Sequence, residues 1–222
     1  MNCGIVIPAY NVASQVETVL DCALHYINKD NIFLIDDGSK DNASEIGQRK
    51  EVQVFRHEKN RGKGKALQTG FDLALSRGVD SVFTIDGDGQ HNPDYIPEFI
   101  QCMETTRCDM VVGWRDFRFG KMPLDRIASN ILSSLAVSLV VNEKIPDSQC
   151  GYRLIRADLL KIMNLTSLKY EIETELILET VTKGKKLTFL PIESLYCAHH
   201  SNIRRFRDSL RFCNLLIKYL NN

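Results

Sequence analysis

Residues 81–91 read SVFTIDGDGQH, and this stretch decides the fold class. Residues 82–85 form an apolar run without polar alternation, which is typical of a strand covered on both faces of a sheet. Asp86 and Asp88 follow this run directly, with one glycine between them. The stretch therefore predicts a buried strand that carries two carboxylates to the edge of a sheet.

Similar runs recur through the first half of the chain, at Ile5–Ile7, Ile32–Ile35, Val52–Phe55 and Met110–Val112. Helical patterns, with apolar residues three and four positions apart, separate them. Ser14 and Glu17 have the spacing of a capping box, and Asn92-Pro93 predicts another helix start. The alternation predicts an α/β fold with a mainly parallel, Rossmann-like sheet and helices on both faces.

The rhythm changes after Trp114. The pattern predicts a helix from about Leu124 to Val141, a short element at Cys150–Ile155, helices through about Lys183 and a strand pair near Leu187–Tyr196. We expect one domain over residues 1–222, with a basic amphipathic helix at 203–222. Its apolar face is expected to hold Ile203, Phe206, Leu210, Cys213, Ile217 and Leu220.

Composition narrows the class of protein. The 222 residues are 44% hydrophobic and 25% charged, which excludes disordered, collagen-like and disulfide-scaffold proteins. We find no apolar stretch long enough for a transmembrane helix, no signal peptide and, among seven cysteines, no CxxC pair, so we expect a cytoplasmic protein. Residues 1–110 carry 11 Lys+Arg against 17 Asp+Glu, and the remainder carries the reverse excess. An acidic front half favours a metal, and a basic rear half favours an anionic partner.

Polar loops follow four of the predicted strands: PAYN at residues 8–11, DDGS at 36–39, NRGKGK at 60–65 and DGDGQH at 86–91. In an open parallel sheet, ligands bind beyond the carboxyl ends of the strands. Asp86, Asp88 and Gln90 offer only oxygen ligands, which favour Mg²⁺ or Mn²⁺ over zinc. A turn rich in hydrogen-bonding side chains that caps the next helix is the structural alternative.

Other functions fit the same loops less well. An EF-hand starting at Asp86 would have His91 where glycine is required and Pro97 where the last glutamate is required. A haloacid-dehalogenase-type phosphatase would use Asp86 as nucleophile and Asp88 as acid, but Gln90 stands where a small residue is expected. Neither GxxxxGK[ST] nor GxGxxG is present, which disfavours kinases and dehydrogenases.

Five ordered motifs carry a family resemblance: IPAYN, DDGSKD, NRGKGKAL, IDGDGQH and DSQCGYRL. In this order they resemble the inverting glycosyltransferases of family two, and within them the enzymes that act on dolichyl and polyprenyl phosphates. The resemblance covers nearly the whole chain, including the later YEIETEL, LPIESLY and RDSLRF segments. It implies a GT-A fold, a nucleotide-sugar donor such as GDP-mannose or UDP-glucose, and Mg²⁺ or Mn²⁺.

The resemblance also implies a donor site. Its metal ligands would be Asp86, Asp88 and Gln90. Val12 replaces a glutamate that is common in the family, which leaves the choice between guanine and uracil open. The donor-binding residues would be Pro8, Ala9, Tyr10, Asn11, Ile35, Asp37, Lys65, Asp86, Gly87, Asp88, Gln90 and His200.

On the acceptor side, Gly113-Trp114-Arg115 resembles the GSR motif of the family. Arg115, Arg126 and Asn130 would then bind the acceptor phosphate, because guanidinium groups form paired hydrogen bonds with phosphate oxygens. Asp147 would be the base if the acceptor were a hydroxyl. The expected catalytic residues are therefore Asp88, Arg115 and Asp147.

A polyprenyl phosphate acceptor lies in a bilayer, so a membrane surface is an expected partner and a nucleic acid is not. Residues 127–141 and the C-terminal helix are the candidate contacts on the cytoplasmic face. An integral-membrane partner subunit is a further candidate. Two alternatives stay open, namely a glycosyltransferase with a glycan or other hydroxyl acceptor and a catalytically silent nucleotide-sugar-binding subunit.

Overall fold

Seven strands lie side by side in one sheet in the computed structural model, which describes residues 1–115, 124–193 and 205–220. Their order across the sheet is β3-β2-β1-β4-β6-β5-β7. The four apolar runs of the first half and the run at 82–85 all contribute strands, which confirms the predicted α/β sheet. The strands are β1 (Cys3–Ala9), β2 (Ile32–Asp36), β3 (Gln53–Arg56), β4 (Ser81–Thr84), β5 (Met110–Arg115), β6 (Arg153–Arg156) and β7 (Leu187–Ile192).

Eight α-helices are present in the described ranges. The predicted helix at Leu124–Val141 has those bounds in the structure. The helices are α1 (Ala13–Leu24), α2 (Ala43–Arg49), α3 (Lys63–Ser76), α4 (Ile96–Thr106), α5 (Leu124–Val141), α6 (Ala157–Ile162), α7 (Ile172–Thr182) and α8 (Arg205–Leu220), with short 3₁₀ helices at Lys29–Asn31 and Pro93–Tyr95.

The sheet is parallel except at β6, which runs antiparallel between β4 and β5. β7 pairs in parallel with β5, from Met110 beside Leu187 to Arg115 beside Ile192. The strand pair expected near Leu187–Tyr196 is therefore wrong for the described residues, because β7 pairs with β5 and not with a second strand of the same segment. Residues after 193 in that segment lie outside the described ranges.

The start of α1 differs from the prediction. Val12 is the residue that precedes the helix, and no side chain caps it there. Instead the Ala13 amide donates to Asp41 Oδ2 at 2.8 Å, from the loop after β2. The capping box of Ser14 and Glu17 is therefore wrong, because a carboxylate brought by the tertiary fold takes its place. The other predicted start is confirmed, since the Asn92 side chain accepts from the Asp94 amide.

The C-terminal helix packs through a face that we did not expect. Leu215, Leu216 and Tyr219 of α8 are buried. Part of the predicted apolar face is exposed instead, and the neighbouring helix α5 also exposes apolar side chains. We call these exposed residues together the α5–α8 surface: Ile131, Leu132, Leu135, Leu139, Leu210, Ile217 and Leu220.

No helix in the described ranges has the length and apolar character needed to cross a membrane.

Candidate active site

The site lies where the strand order reverses. β1 pairs with β2 on one side and with β4 on the other, so the loops after β1 and β4 start at a topological switch point, where open α/β sheets bind ligands. Gly87 brings these loops together: a Cβ there would lie 3.2 Å from the carbonyl oxygen of Pro8. Pro8, Tyr10, Asp86 and Asp88 accordingly start from one edge of the sheet.

Asp86 is one of three charged groups joined at this edge. Lys63 Nζ, at the start of α3, lies 2.5 Å from Asp86 Oδ1 and also contacts Glu173 Oε1 of α7. Burial opposes ionisation of Asp86, but the adjacent Lys63 ammonium lowers the pKa of Asp86 overall. Burial likewise opposes the charge on Lys63, but the two carboxylates raise the pKa of Lys63. A buried ammonium thus bridges two carboxylates.

Asp88 has a different environment. Its Oδ1 accepts from the Gln90 amide at 3.1 Å. Burial and then the negative charge of Asp86 raise the pKa of Asp88 to about 6. Lys63 is already paired with Asp86 and Glu173, so a further cation is needed to offset the repulsion between Asp86 and Asp88.

The residues present suit a divalent metal. Asp86, Asp88 and Gln90 supply hard oxygen donors, as Mg²⁺ and Mn²⁺ require. No group of three His, Cys, Asp or Glu side chains in residues 1–115, 124–193 and 205–220 forms a complete metal site. A metal here would therefore use the Gln90 amide oxygen and oxygens of the ligand besides the two carboxylates.

His91 closes the base of this loop. Its ring is buried and lies 5.7 Å from the Tyr152 ring, centroid to centroid. Nδ1 has no hydrogen-bond partner in the described part of the chain, and Nε2 is 3.8 Å from Asp86 Oδ2. Burial lowers the pKa of His91 to about 4, so the ring is neutral at pH 7.

Asn11 connects the loop after β1 to the loop after β2. Its amide donates to Ser39 Oγ at 3.0 Å, and its side-chain oxygen accepts from the Lys40 amide at 2.8 Å. Asn11 adopts a positive φ of 55°, a conformation that asparagine tolerates better than most residues. This side chain, expected to bind the donor, thus fixes the two loops to each other.

Asp37 is buried and fully engaged. Its Oδ1 is 2.7 Å from His57 Nδ1 and 2.9 Å from the Arg61 amide, while Oδ2 accepts from the Gly62 amide at 2.7 Å. His57 Nε2 lies 3.1 Å from Thr69 Oγ1. Asp37, expected to bind the donor directly, therefore pins the start of the NRGKGK segment.

Two other donor candidates are also buried. Ile35 in β2 has no exposed surface, and Ala9 at the end of β1 has almost none. The Ile35 side chain belongs to the hydrophobic core, and the expected role of this residue in donor binding stays a prediction.

The glycines of NRGKGK pack against the segment before α7. A Cβ at Gly64 would collide with the carbonyl oxygen of Ser167, and one at Gly62 with Leu168. Gly62 has a φ of +104°, which glycine adopts without steric strain. Lys65 is half-buried, and its amide donates to the Leu168 carbonyl at 3.3 Å. These glycines therefore allow α3 to approach residues 165–169.

Arg115, at the end of β5, pairs with Asp147. Arg115 Nε is 2.7 Å from Asp147 Oδ2, and Nη2 is 3.0 Å from Oδ1. The Gln149 amide also donates to Asp147 Oδ1 at 3.0 Å. Asp147 is fully buried, and its two oxygens are already hydrogen-bonded. Burial opposes the charge on Arg115, but Asp147 raises the pKa of Arg115 overall.

The remaining acceptor candidates lie on α5. Arg126 and Asn130 are one turn apart on the helix and are half-buried. Exposed apolar residues of the α5–α8 surface begin at the next position, Ile131. His200 lies outside the described residues.

Sequence reasoning missed three residues of this network. From the sequence, Lys63 belongs only to a basic segment and Glu173 only to the YEIETEL motif, and no motif contains His57. The one sequence signal for Glu173 is its place among the carboxylates at residues 171–175, at the start of a predicted helix. Lys63 and Glu173 are 110 residues apart in the chain, and their roles depend on the contact between them.

Residues 4–163 match the family described as Glycosyl transferase family 2. The chain is 32% identical over 216 residues to a UDP-N-acetylglucosamine–dolichyl-phosphate N-acetylglucosaminyltransferase of Methanococcus voltae, covering 86% of this chain and 85% of that protein. It is 27% identical over 198 residues to an undecaprenyl-phosphate mannosyltransferase of Micrococcus luteus, covering 84% and 81%.

Among solved structures, the chain is similar to glucosyl-3-phosphoglycerate synthase from Mycobacterium tuberculosis in complex with UDP. The TM-score is 0.76 with 19% identity, over 99% of this chain and 80% of that one. Another structure of that enzyme, with a TM-score of 0.74, 18% identity and coverage of 99% and 78%, contains Mn²⁺, UDP and glucosyl-3-phosphoglycerate.

Proposed function

The chain belongs to glycosyltransferase family 2 and has the GT-A fold, and we propose that it transfers a hexose from a nucleotide sugar to a polyprenyl or dolichyl phosphate with inversion at the anomeric carbon. One observation carries the proposal: Asp86 lies near enough to Arg115 for the Arg115 charge to help lower the pKa of Asp86, and the buried Asp147 holds this guanidinium in place. The names of the Methanococcus voltae and Micrococcus luteus relatives support the lipid-phosphate acceptor.

On the donor side, Asp86, Asp88 and Gln90 would hold Mg²⁺ or Mn²⁺ for the nucleotide diphosphate. A divalent cation held there would supply positive charge that stabilises the departing nucleotide diphosphate. Lys63 keeps Asp86 ionised and in place, and Asp88 is the carboxylate that most needs a cation. Asn11 and Asp37 hold the loops that surround the nucleotide.

On the acceptor side, Arg115 positions the attacking phosphate. A phosphate oxygen is already anionic at neutral pH, so attack requires orientation more than a base. Asp147 holds the Arg115 guanidinium through two hydrogen bonds and thus acts through that residue. A hydroxyl acceptor would need a base, and this occupied carboxylate is poorly placed to serve as one. The phosphate acceptor is therefore favoured over the hydroxyl alternative.

The α5–α8 surface is the proposed contact with the membrane. It adjoins Asn130, so a lipid whose phosphate reaches the acceptor residues would leave its chain close to this surface. Arg207 and Arg211 on α8 are exposed and suit anionic lipid headgroups.

Free cysteines in the described ranges suit the reducing cytoplasm. We place the enzyme at the cytoplasmic face of a membrane.

The testing experiment uses purified protein, MnCl₂, a panel of radiolabelled UDP- and GDP-sugars and a short polyprenyl phosphate. Label extracted into organic solvent reports transfer to lipid. We expect one donor to give organic label that is lost in Asp88→Ala and in EDTA. Donor binding without organic label from any sugar would contradict the lipid acceptor, and label incorporated into an added glycan would support the hydroxyl alternative. A protein that binds donor but neither transfers nor hydrolyses it would be the silent subunit.

A further inference from the structure

Glu173 reaches the donor site from α7, 110 residues after Lys63 in the chain. It is the second residue of α7, is buried, and contacts the Lys63 ammonium. Lys63 in turn lies 2.5 Å from Asp86. We propose that Glu173 is a positioning residue of the donor site, which holds Lys63 against Asp86 and thereby fixes the carboxylate to which the donor complex binds. The inference rests on the proposed function.

A lysine ammonium needs more than one partner if it is to keep a fixed position. Its ammonium sits on a flexible four-carbon chain, and one carboxylate alone leaves several rotamers available. Two carboxylates on different elements fix the Lys63 ammonium between the end of β4 and the start of α7. Removing one partner of a buried ion pair leaves the other charge uncompensated, which is strongly unfavourable.

Glu173 itself is held rigidly. Arg153 in β6 is fully buried and donates to the backbone carbonyl of Glu173. The same guanidinium donates to the carbonyls of Cys150 at 2.9 Å and Ser148 at 3.2 Å. The first turn of α7 is therefore anchored to the loop that carries Asp147. Because the backbone of Glu173 is fixed, its carboxylate can hold the Lys63 ammonium in one position.

The other buried acids of α7 have separate tasks. Glu175 accepts from the amides of Thr166 and Ser167 and so fixes the loop before α7. Glu179 accepts from the Tyr219 hydroxyl at 2.6 Å and so fixes α8. Of these three glutamates, Glu173 is the one that contacts the donor site, which explains why its loss should affect the donor selectively.

Burial raises the pKa of Glu173, with Lys63 opposing this effect. Substitution by glutamine keeps the shape of the side chain and removes its charge. The Lys63 ammonium then loses one of its two carboxylate partners and is held by Asp86 without Glu173. Arg115 takes its hydrogen bonds from Asp147 and feels Glu173 only through its charge, so the acceptor site should be affected less than the donor site.

The experiment is a double-mutant cycle on the full chain. Calorimetry measures the Kd of UDP-glucose, UDP-N-acetylglucosamine and GDP-mannose, each with MnCl₂, for wild type, Glu173→Gln, Lys63→Met and the double variant. We expect Glu173→Gln to weaken binding of the preferred donor about tenfold or more, as loss of a buried charge partner does. Adding Glu173→Gln to Lys63→Met should weaken it by less than twofold, because the residue acts through Lys63.

Steady-state kinetics separate positioning from a general structural defect. Glu173→Gln should raise the KM of the donor and leave the KM of polyprenyl phosphate within about twofold. Glu171→Gln, the same chemical change two residues earlier, is the matched control and should bind donor as wild type does. If Glu173→Gln does not fold, Glu173→Asp tests the same contact with a carboxylate one carbon shorter.

Three results would overturn the inference. The first is wild-type donor affinity in Glu173→Gln. The second is an effect of equal size in the Lys63→Met background, since Glu173 would then act independently of Lys63. The third is failure of the wild-type protein to bind any nucleotide sugar, which would overturn the proposed function as well. Donor binding by wild type with no change in Glu173→Gln removes this inference alone.

Discussion

Gly151 lies directly against the carboxylate of Asp86. A Cβ at Gly151 would stand 2.5 Å from Asp86 Oδ2, a distance that no carbon and oxygen in contact can keep. Thr84 Oγ1, two residues before Asp86, donates to the Gly151 carbonyl at 2.7 Å and fixes this approach. The glycine of the DSQCGYRL motif therefore makes room for the first carboxylate of the IDGDGQH motif.

Replacing Gly151 with alanine should displace Asp86 from Lys63. We expect donor affinity to fall about tenfold and stability to fall by about 1–3 kcal/mol, as overpacking at a close contact does. Calorimetric titration with the preferred donor and thermal unfolding measure the two effects. The control is Gly4→Ala, near the start of β1 and away from the site at the end of that strand. A Cβ at Gly4 would lie 3.4 Å from its nearest neighbours, an ordinary contact. Unchanged donor affinity in Gly151→Ala would show that Asp86 has room to move.

Asp147→Asn tests whether Asp147 positions Arg115 or acts as a base. The variant loses the charge that holds the guanidinium, so we expect the KM of polyprenyl phosphate to rise about tenfold with donor Kd unchanged. A base would instead show a fall in kcat of about 10²–10⁴-fold. Steady-state kinetics with both substrates varied distinguish these outcomes.

Arg115→Ala should weaken acceptor use more than donor binding, because its guanidinium is the group expected to contact the acceptor phosphate. Separate titrations with donor and with polyprenyl phosphate measure the two affinities. We expect the acceptor affinity to fall about tenfold or more, the size expected for a lost charge-assisted pair of hydrogen bonds. Equal losses for both substrates would contradict this role.

Asp88 makes the stability of the metal-free protein depend on pH. Its folded-state pKa of about 6 exceeds the ordinary value, so the folded state retains this proton to a higher pH than the unfolded state. The group's stabilising contribution is present at about pH 4 and is lost as pH rises through 6. In EDTA, Asp88→Asn should therefore be more stable than wild type at pH 7.5 by about 2–3 kcal/mol.

The difference between wild type and Asp88→Asn should become small near pH 4 and vanish below it, where Asp88 is protonated in the folded and the unfolded states. Urea unfolding at pH 4, 6 and 7.5 provides the measurement. A constant difference across this range would mean that Asp88 titrates normally in the folded protein.

His57→Leu should release Asp37 and the loop it pins. The buried Asp37 carboxylate would lose its side-chain partner, which destabilises the fold by about 1–3 kcal/mol. His57→Asn places an amide donor near the position of Nδ1 and should recover part of this loss. Urea unfolding gives the stability, and donor titration should show weaker binding for His57→Leu than for His57→Asn. Equal stability of the two variants would exclude the hydrogen bond to Asp37 as the cause.

Leu135→Glu tests the α5–α8 surface. Placing a charge on this exposed apolar surface should reduce sedimentation with vesicles of phosphatidylglycerol and phosphatidylcholine about tenfold, with thermal stability and donor Kd unchanged. Ile162→Glu, which changes an equally exposed apolar residue on α6, is the control and should sediment as wild type does. Wild-type sedimentation of Leu135→Glu would exclude the lipid surface, and co-purification with a membrane protein would instead indicate a partner subunit.

Local pattern was sufficient for the sheet and for the motif residues at its edge. The unbroken apolar runs at 5–7, 32–35 and 82–85 could only be strands covered on both faces, and the polar loops after them had to meet at one edge. Asp86 and Asp88 were therefore predicted from their position after a strand, whereas Arg115 was predicted from the family resemblance. The capping box at Ser14 failed because Asp41, 28 positions from Ala13, accepts from the Ala13 amide at the start of the helix.

The sequence by itself determined the α/β class, the strand run that ends in Asp86-Gly87-Asp88 and the family resemblance, because hydrophobic periodicity and motif order are local properties. Only the tertiary structure decided what each charge does. Lys63 contacts Glu173, which is 110 residues away along the chain, and both oxygens of Asp147 accept hydrogen bonds from Arg115. Such contacts depend on which elements the fold brings together and on the burial that makes an unpaired charge unfavourable. No spacing along the chain encodes either.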